Sequence, residues 1–335
     1  MQELIRPRRR LDTPPVLAVD NLSVQLQTRQ GTARVVEGVS LEVWPGEIVG
    51  VIGESGSGKT MTALSILRLM PHVARIVGGD IRLSGTSLPS LSDAQMRKLR
   101  GNRMALIPQD PLSALNPVQP IGRQVGEPFV LHRRSRWQTA WEQAVRLLGA
   151  VHLPLPETRA AEYPHQFSGG MRQRAMTAMA LALEPDLLIA DEPTTALDVT
   201  IQAQVLRLLG EIRDEHETAI LLITHDLGVV AESCDWVYVM YAGRIVEEGP
   251  VGRLFAHPSH PYTQALLNAT PSIELAQAEL AAIPGRIPSP YEIGPGCRFA
   301  DRCAQRLARC AQEPPLLPVA AEHLARCWLL EEVRA

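Results

Sequence analysis

Residues 167–174 read FSGGMRQR, and after Asp186 the chain runs LLIADE from Leu187 to Glu192. Ser168, Gly169 and Gly170 join one hydroxyl to two residues without a Cβ, so backbone N–H groups at the start of the following helix can approach an anion closely. A Ser-Gly-Gly tripeptide by itself most often does no more than cap a helix. Its company changes the reading. Leu187 to Ala190 are uniformly apolar, as a parallel strand buried on both faces requires, and Asp191 and Glu192 emerge at its end. In open α/β sheets that carboxyl edge is where ligands bind.

A phosphate motif lies upstream. GESGSGKT, from Gly53 to Thr60, fits the pattern of Gly, four free positions, Gly, Lys and Ser or Thr. It is preceded by the β-rich run EIVGVI at Glu47 to Ile52 and followed by MTALSILRLM at Met61 to Met70, which has helical spacing. The glycines are therefore placed on a strand-to-helix turn. On that turn Gly53, Glu54, Ser55, Gly56, Ser57 and Gly58 are expected to cradle phosphate with backbone N–H groups, while Lys59 reaches the β- and γ-phosphates and the Thr60 hydroxyl ligates Mg²⁺. Asp191 fits the carboxylate that holds Mg²⁺, and Glu192 is placed to accept a proton from an attacking water. Without the phosphate loop the acidic pair would read as a helix start.

Three further positions complete a pattern. Gln109 stands in ALIPQDPLSALNP (Ala105 to Pro117), Asp198 in TTALDV (Thr194 to Val199), and His225 follows AILLIT (Ala219 to Thr224). In their order and spacing, the six motifs resemble those of the ABC ATPases. The resemblance implies an α/β fold: a P-loop NTPase (RecA-like) core with an antiparallel β subdomain and a helical signature subdomain, plus a small C-terminal cysteine-containing extension. It also implies that Gln109 senses nucleotide and Mg²⁺ and contacts the membrane partner, that Asp198 speaks to the opposite subunit, and that His225 contacts the γ-phosphate. Ser168, Gly169 and Gly170 would bind the nucleotide of a facing subunit. One element departs from the pattern. Related chains place an aromatic ring some twenty residues ahead of the phosphate loop to stack on adenine, yet Gln25 to Val43 contains no Phe, Tyr or Trp. Arg34, Val35 and Val36 are the remaining candidates to cover the base.

The 335 residues include 33 basic and 36 acidic side chains, a net charge of −3 that argues against nucleic acid as the main partner. No apolar run approaches the length of about 18 residues that a spanning helix needs, and no secretory signal opens the chain. The expectation is a peripheral protein of the cytoplasmic face of the inner membrane, held there by a partner. Residues 1–15, with Arg6, Arg8, Arg9 and Arg10 among prolines, read as a flexible arm. Residues 16–250 read as the ATPase domain, with the helical subdomain inserted at about 111–175. Within it, Val16 to Glu42 should form strands turning near Gly31, Ile81 to Leu83 should return to the same small sheet, Trp137 to Leu148 is an amphipathic helix, and Trp236 to Gly249 is hairpin-like.

Residues 251–335 are a tail beyond a minimal cassette. It carries HPSHPYTQALLNATP at His257 to Pro271 and GRIPSP at Gly285 to Pro290. Four cysteines follow: Cys297, Cys303, Cys310 and Cys327, separated by five, six and sixteen residues. In a reducing compartment such a group points to metal or redox chemistry rather than disulfides. Zinc favours pairs two to four residues apart, which are lacking here, and wider spacing suits an iron–sulfur cluster; on chemistry alone both stay open. Cys234 reads as a small buried hydrophobe.

The combination of GESGSGKT, QDPLSALNP, SGGMRQR, ADEPTTALDVTIQAQVL, THDLGVVA, HPYTQALL and the terminal cysteines resembles the ATP-binding subunit of bacterial dipeptide and oligopeptide importers. That resemblance covers the chain from about Val16 onward. It implies a second ATP-binding subunit in a heterodimer, two transmembrane permease subunits and an extracytoplasmic substrate-binding protein. Met171 resembles the first subunit of such a pair. The four tail cysteines would hold a 4Fe-4S cluster, most simply as a staple. Relatives carry dipeptides, longer peptides, glutathione, nickel chelates or glycosides, so cargo is left open. The rival readings are a soluble ABC ATPase acting on DNA or ribosomes, and a redox-responsive binding protein in which ATP is secondary.

Overall fold

The computed structural model describes residues 13–194, 199–269 and 283–332. Residues 1–12 of the expected arm and Asp198 lie outside the described residues. The chain opens with β1 (Leu17–Thr28) and β2 (Gly31–Val43), paired antiparallel around a turn at Arg29 and Gln30. β3 (Ile48–Ile52) leads into the phosphate loop and α1 (Lys59–Leu67). Then come β4 (Ala74–Leu83), β5 (Thr86–Ser87), α2 (Asp93–Leu99) and β6 (Met104–Ile107).

The chain then turns helical: α3 (Pro111–Ala114), α4 (Ile121–Arg133), α5 (Trp137–Ala150), α6 (Pro156–Ala160) and α7 (Gly169–Leu181). β7 (Leu187–Asp191), α8 (Val199–His216), β8 (Ala219–Thr224), α9 (Leu227–Ser233) and the hairpin of β9 (Trp236–Tyr241) and β10 (Arg244–Pro250) follow. The tail adds α10 (Val251–Ala256), α11 (Pro261–Asn268), β11 (Leu317–Ala320), β12 (His323–Ala325) and α12 (Leu329–Glu332).

Two sheets result. The smaller is antiparallel, in the order β2-β1-β4-β5. The larger runs β11-β12-β10-β9-β3-β8-β7-β6, with the five strands from β9 to β6 parallel and the other three antiparallel. Strand periodicity divides two cores between its faces. Ile48 and Ile52 of β3, Leu188 and Ala190 of β7, and Ile220 and Leu222 of β8 point to the helical side. Val49, Val51, Leu187, Ile189, Leu221 and Ile223 point to the smaller sheet and α1. Alternate side chains of a strand leave opposite faces, so strands covered on both sides read as unbroken apolar runs. Cys234, 2% exposed, packs its Sγ over Gly50 of β3.

The tail joins the larger sheet. Glu247 of β10 is fully buried and accepts the N–H of Ser259 at 2.7 Å and of His260 at 2.9 Å, and its Oε1 lies 2.8 Å from His323 Nε2 on β12. A buried carboxylate is tolerated when several donors converge on it, and here the donors all come from the tail. Tyr241, Tyr262 and Phe299 form an aromatic cluster with centroids 4.6–5.4 Å apart, which joins β9, α11 and the cysteine-bearing segment.

Candidate active site

Four of the motifs gather at the carboxyl ends of the parallel strands. β3 ends in the phosphate loop, β6 is followed by Gln109, β7 ends in Asp191, and β8 is followed by His225. The loop is tightly seated. Gly53 has φ 151°, and a Cβ there would lie 2.1 Å from the Met240 carbonyl; at Gly58, φ 106°, it would lie 2.8 Å from the Val35 carbonyl. Both positions therefore require glycine. Ser57 is fully buried, while Ser55 and Gly56 are open to an incoming ligand.

Lys59 folds back over its own loop, its Nζ donating to the carbonyls of Gly53 at 2.7 Å and Glu54 at 3.0 Å. Burial lowers its pKa, opposed by the charges of Glu192, Asp191 and Glu54. Asp191 is also buried, which raises its pKa, and Thr60 Oγ1 donates to its Oδ1 across 3.4 Å. A hydroxyl and a carboxylate side by side at a phosphate loop are the donor set of a hard divalent cation, and Mg²⁺ fits them.

Glu192 leaves the strand with φ 49°, in the left-handed region that a non-glycine residue enters only when its surroundings hold it there. Its backbone N–H is anchored on the Ile223 carbonyl at 2.8 Å. Gln109 Nε2 donates to its Oε2 at 2.8 Å, and His225 Nδ1 lies 3.2 Å from its Oε1. Gln109, Glu192 and His225 of the expected nucleotide site thus meet at one carboxylate.

The signature turn faces outward. Ser168 Oγ accepts the Met171 N–H at 3.3 Å and so caps α7, Ser168 and Gly169 are exposed, and nothing lies within 4 Å of the place a Gly169 Cβ would occupy. Of the candidates to cover adenine, Val36 is corrected: it is fully buried in the core between the sheets. Arg34 pairs with Glu37 at 2.9 Å, and Val35 is half-buried beside the loop. An aromatic residue does reach these strands from the tail, Tyr291, whose hydroxyl is 2.5 Å from Thr28 Oγ1.

Cys297, Cys303, Cys310 and Cys327 line one small cavity of about 10 Å³, with His260, Phe299 and Trp328. As placed, no three His, Cys, Asp or Glu side chains among the described residues are arranged to hold a metal ion. The cysteines therefore converge without forming a ligand shell. Burial pushes the Cys297 thiol up to about 12 and also raises Cys303 and Cys327. Thiolates at this place need a compensating cation.

The fold and the site define an ABC-type ATPase. Residues 36–195 match the ABC transporter family, and residues 246–310 match the oligopeptide/dipeptide transporter C-terminal region. The "Probable peptide ABC transporter ATP-binding protein y4tR" of Sinorhizobium fredii is 50% identical over 95% of this chain and 96% of its own length. The dipeptide transport ATP-binding protein DppD of Bacillus subtilis is 46% identical, covering 95% of each chain. The oligopeptide transport ATP-binding protein OppD of Haemophilus influenzae is 44% identical over 95% of this chain and 98% of that one. A bacterial ABC transporter cassette solved as a dimer superposes with a TM-score of 0.64 at 25% identity, over 70% of this chain and 98% of the cassette. The chain belongs to the ATP-binding subunits of peptide ABC transporters. It is an ATPase whose hydrolysis is coupled to transport.

Sequence reasoning missed the tail's contacts with the site. Tyr262 and Arg302 touch the phosphate loop and Arg298 its supports, and nothing within HPYTQALL or the cysteine motif marks those contacts. No local pattern announces a contact across more than two hundred residues.

Proposed function

We propose that this chain hydrolyses ATP at an interface with a second, different ATP-binding subunit and thereby energises peptide import through two membrane-spanning permease subunits supplied by an extracytoplasmic binding protein. It would sit on the cytoplasmic face of the membrane, held there by the permease subunits; no helix among the described residues is long and apolar enough to cross a membrane. The observation that carries the reading is the pair of contacts from Gln109 and His225 to Glu192, beside a loop built for phosphate.

Those contacts aim the carboxylate. Water attacks the γ-phosphorus in line, its proton passes to Glu192, and the bond from the γ-phosphorus to the β–γ bridging oxygen breaks to release ADP. Lys59 and loop N–H groups neutralise the developing charge, and His225 contacts the γ-phosphate. Mg²⁺, held by Thr60 and Asp191 with Gln109 nearby, would supply further charge neutralisation. Ser168, Gly169 and Gly170 at the start of α7, the first two exposed, would reach the nucleotide on the facing subunit, with Asp198 at the same interface. Closure of the pair would act on the permease through the Gln109 segment.

Cys297, Cys303, Cys310 and Cys327 would hold a 4Fe-4S cluster. Four soft donors around one cavity support that reading, and a cluster would supply the positive charge that the buried thiolates need. Protein purified without oxygen should carry iron and acid-labile sulfide in equal amounts, and the absence of both would end this assignment.

The decisive measurement is ATP turnover by the chain alone and after assembly with its companion subunit and permease. Turnover should be poor alone and rise on assembly; brisk turnover by the lone monomer would overturn the two-subunit site. Ligand affinities of the cognate binding protein would name the cargo.

A further inference from the structure

The phosphate loop is braced from behind by the tail. The Glu54 N–H donates to the Tyr262 hydroxyl at 2.8 Å. The Glu54 carboxylate is clasped by Arg302, Nη1 to Oε2 at 2.7 Å and Nη2 to Oε1 at 3.1 Å. Arg302 is itself fixed: its side chain is 5% exposed, its Nε donates to the Pro284 carbonyl at 2.8 Å, and its guanidinium stands 5.8 Å and 6.0 Å from the Tyr241 and Phe299 rings. A two-pronged, charge-assisted pair with one partner buried is of the strong kind, unlike an exposed ion pair.

The geometry reaches the catalytic lysine in one step. The carbonyl of Gly53 and the N–H of Glu54 belong to the same peptide unit. Lys59 Nζ binds that carbonyl, while Tyr262 holds the N–H on the other side. The plane of this one peptide therefore sets where the ammonium of Lys59 stands, and Tyr262 and Arg302 set the plane. A second brace acts on the far end of the loop. Arg298, 3% exposed, bonds the Ala242 carbonyl and Glu37, and the neighbouring Gly243 N–H donates to the Ser57 carbonyl at 2.7 Å.

We infer that Arg302 is a positioning residue for ATP binding: acting through Glu54 and together with Tyr262, it holds the phosphate loop in the arc that receives the phosphates. The nucleotide affinity of this chain then depends on a segment beyond residue 250, and the two arginines involved lie between Cys297 and Cys303. The inference rests on the assignment of Gly53 to Thr60 as the ATP site. A brace that only fastened the tail to the cassette would leave affinity unchanged.

The test is titration of the full-length chain with Mg·ATP, alongside melting in the absence of nucleotide, for Arg302→Met, Arg302→Lys, Glu54→Gln, Tyr262→Phe and the double variant Arg302→Met/Glu54→Gln. Arg302→Met and Glu54→Gln should each raise Kd about tenfold, and the double variant should lose no more than either, because one interaction is removed in all three. Tyr262→Phe should weaken binding in the same direction, and Arg302→Lys should recover part of the loss. In the assembled complex KM for ATP should rise with Kd, and kcat should fall as well, because Lys59 is displaced from the charge that develops on the phosphate. Unchanged Kd in Glu54→Gln and Tyr262→Phe would overturn the inference even if Arg302→Met fails to fold, and so would losses that add in the double variant. Lys59→Ala separates the two levels: retained ATP binding there would overturn the site itself, whereas its loss with normal binding in the brace variants would overturn the brace alone.

Discussion

Glu192 is the residue on which the chemistry turns. Its φ of 49° swings the side chain off the end of β7 towards Gln109 and His225, where both meet its carboxylate. Glu192→Gln keeps the size and one acceptor but removes the base. In the assembled complex it should leave Mg·ATP binding intact and lower turnover by roughly 10²–10⁴-fold, measured as phosphate release beside a nucleotide titration. Normal turnover would remove Glu192 from the base role. Gly53 makes the complementary case for backbone. With φ 151° and only 2.1 Å between a would-be Cβ and the Met240 carbonyl, Gly53→Ala must displace the loop or the end of β9. It should lose ATP binding and lower the melting temperature together, and wild-type affinity would contradict the loop geometry. Both residues were legible in the sequence because their motifs are contiguous. The failure of Val36 as an adenine contact was not legible. Facing is decided by the register of β2 against β1, which buries Val36 between the sheets.

At the scale of elements, α7 shows how one turn does two jobs. Ser168 caps the helix by accepting the Met171 N–H, yet it stays exposed at the positive end of the element. Ser168→Ala should cost about 1 kcal/mol of stability, read from chemical denaturation of the lone chain. In the two-subunit assembly the same change should depress hydrolysis beyond what that loss explains, because the hydroxyl would face the other chain's nucleotide. If hydrolysis tracks stability alone, the turn is a cap and nothing more. The strands β3, β7 and β8 were readable as apolar runs, and α5 as a spaced apolar stripe. β11 and β12 were not: LPVA and HLA are too short for a periodic signal, and pairing with β10 decides them.

At the scale of the molecule, the tail is welded to the cassette rather than appended to it. His260 lies at the weld. It is fully buried, its ring stands 5.9 Å from Phe299, and its Nδ1 accepts the Tyr262 N–H at 3.0 Å. Burial lowers its pKa from 6.5 to about 4, partly opposed by Glu247. The unfolded chain binds this proton below about 6.5 and the folded chain only near 4, so this contribution is full above pH 6.5 and is lost as pH falls towards 4. The span amounts to about 3 kcal/mol. Melting temperature should fall across that window, and His260→Asn, which can still cap α11, should flatten the slope; an unchanged slope would place the proton elsewhere. The sequence by itself determined the chemistry and its order, because phosphate loop, signature turn and acidic strand end are short motifs whose residues act within a few positions of one another. Only the tertiary structure decided that Tyr262 and Arg302 grip the loop, that the four cysteines converge, and that the tail completes the sheet. Those contacts join residues far apart in the chain, and the packing of the two cores, not any local pattern, brings them together.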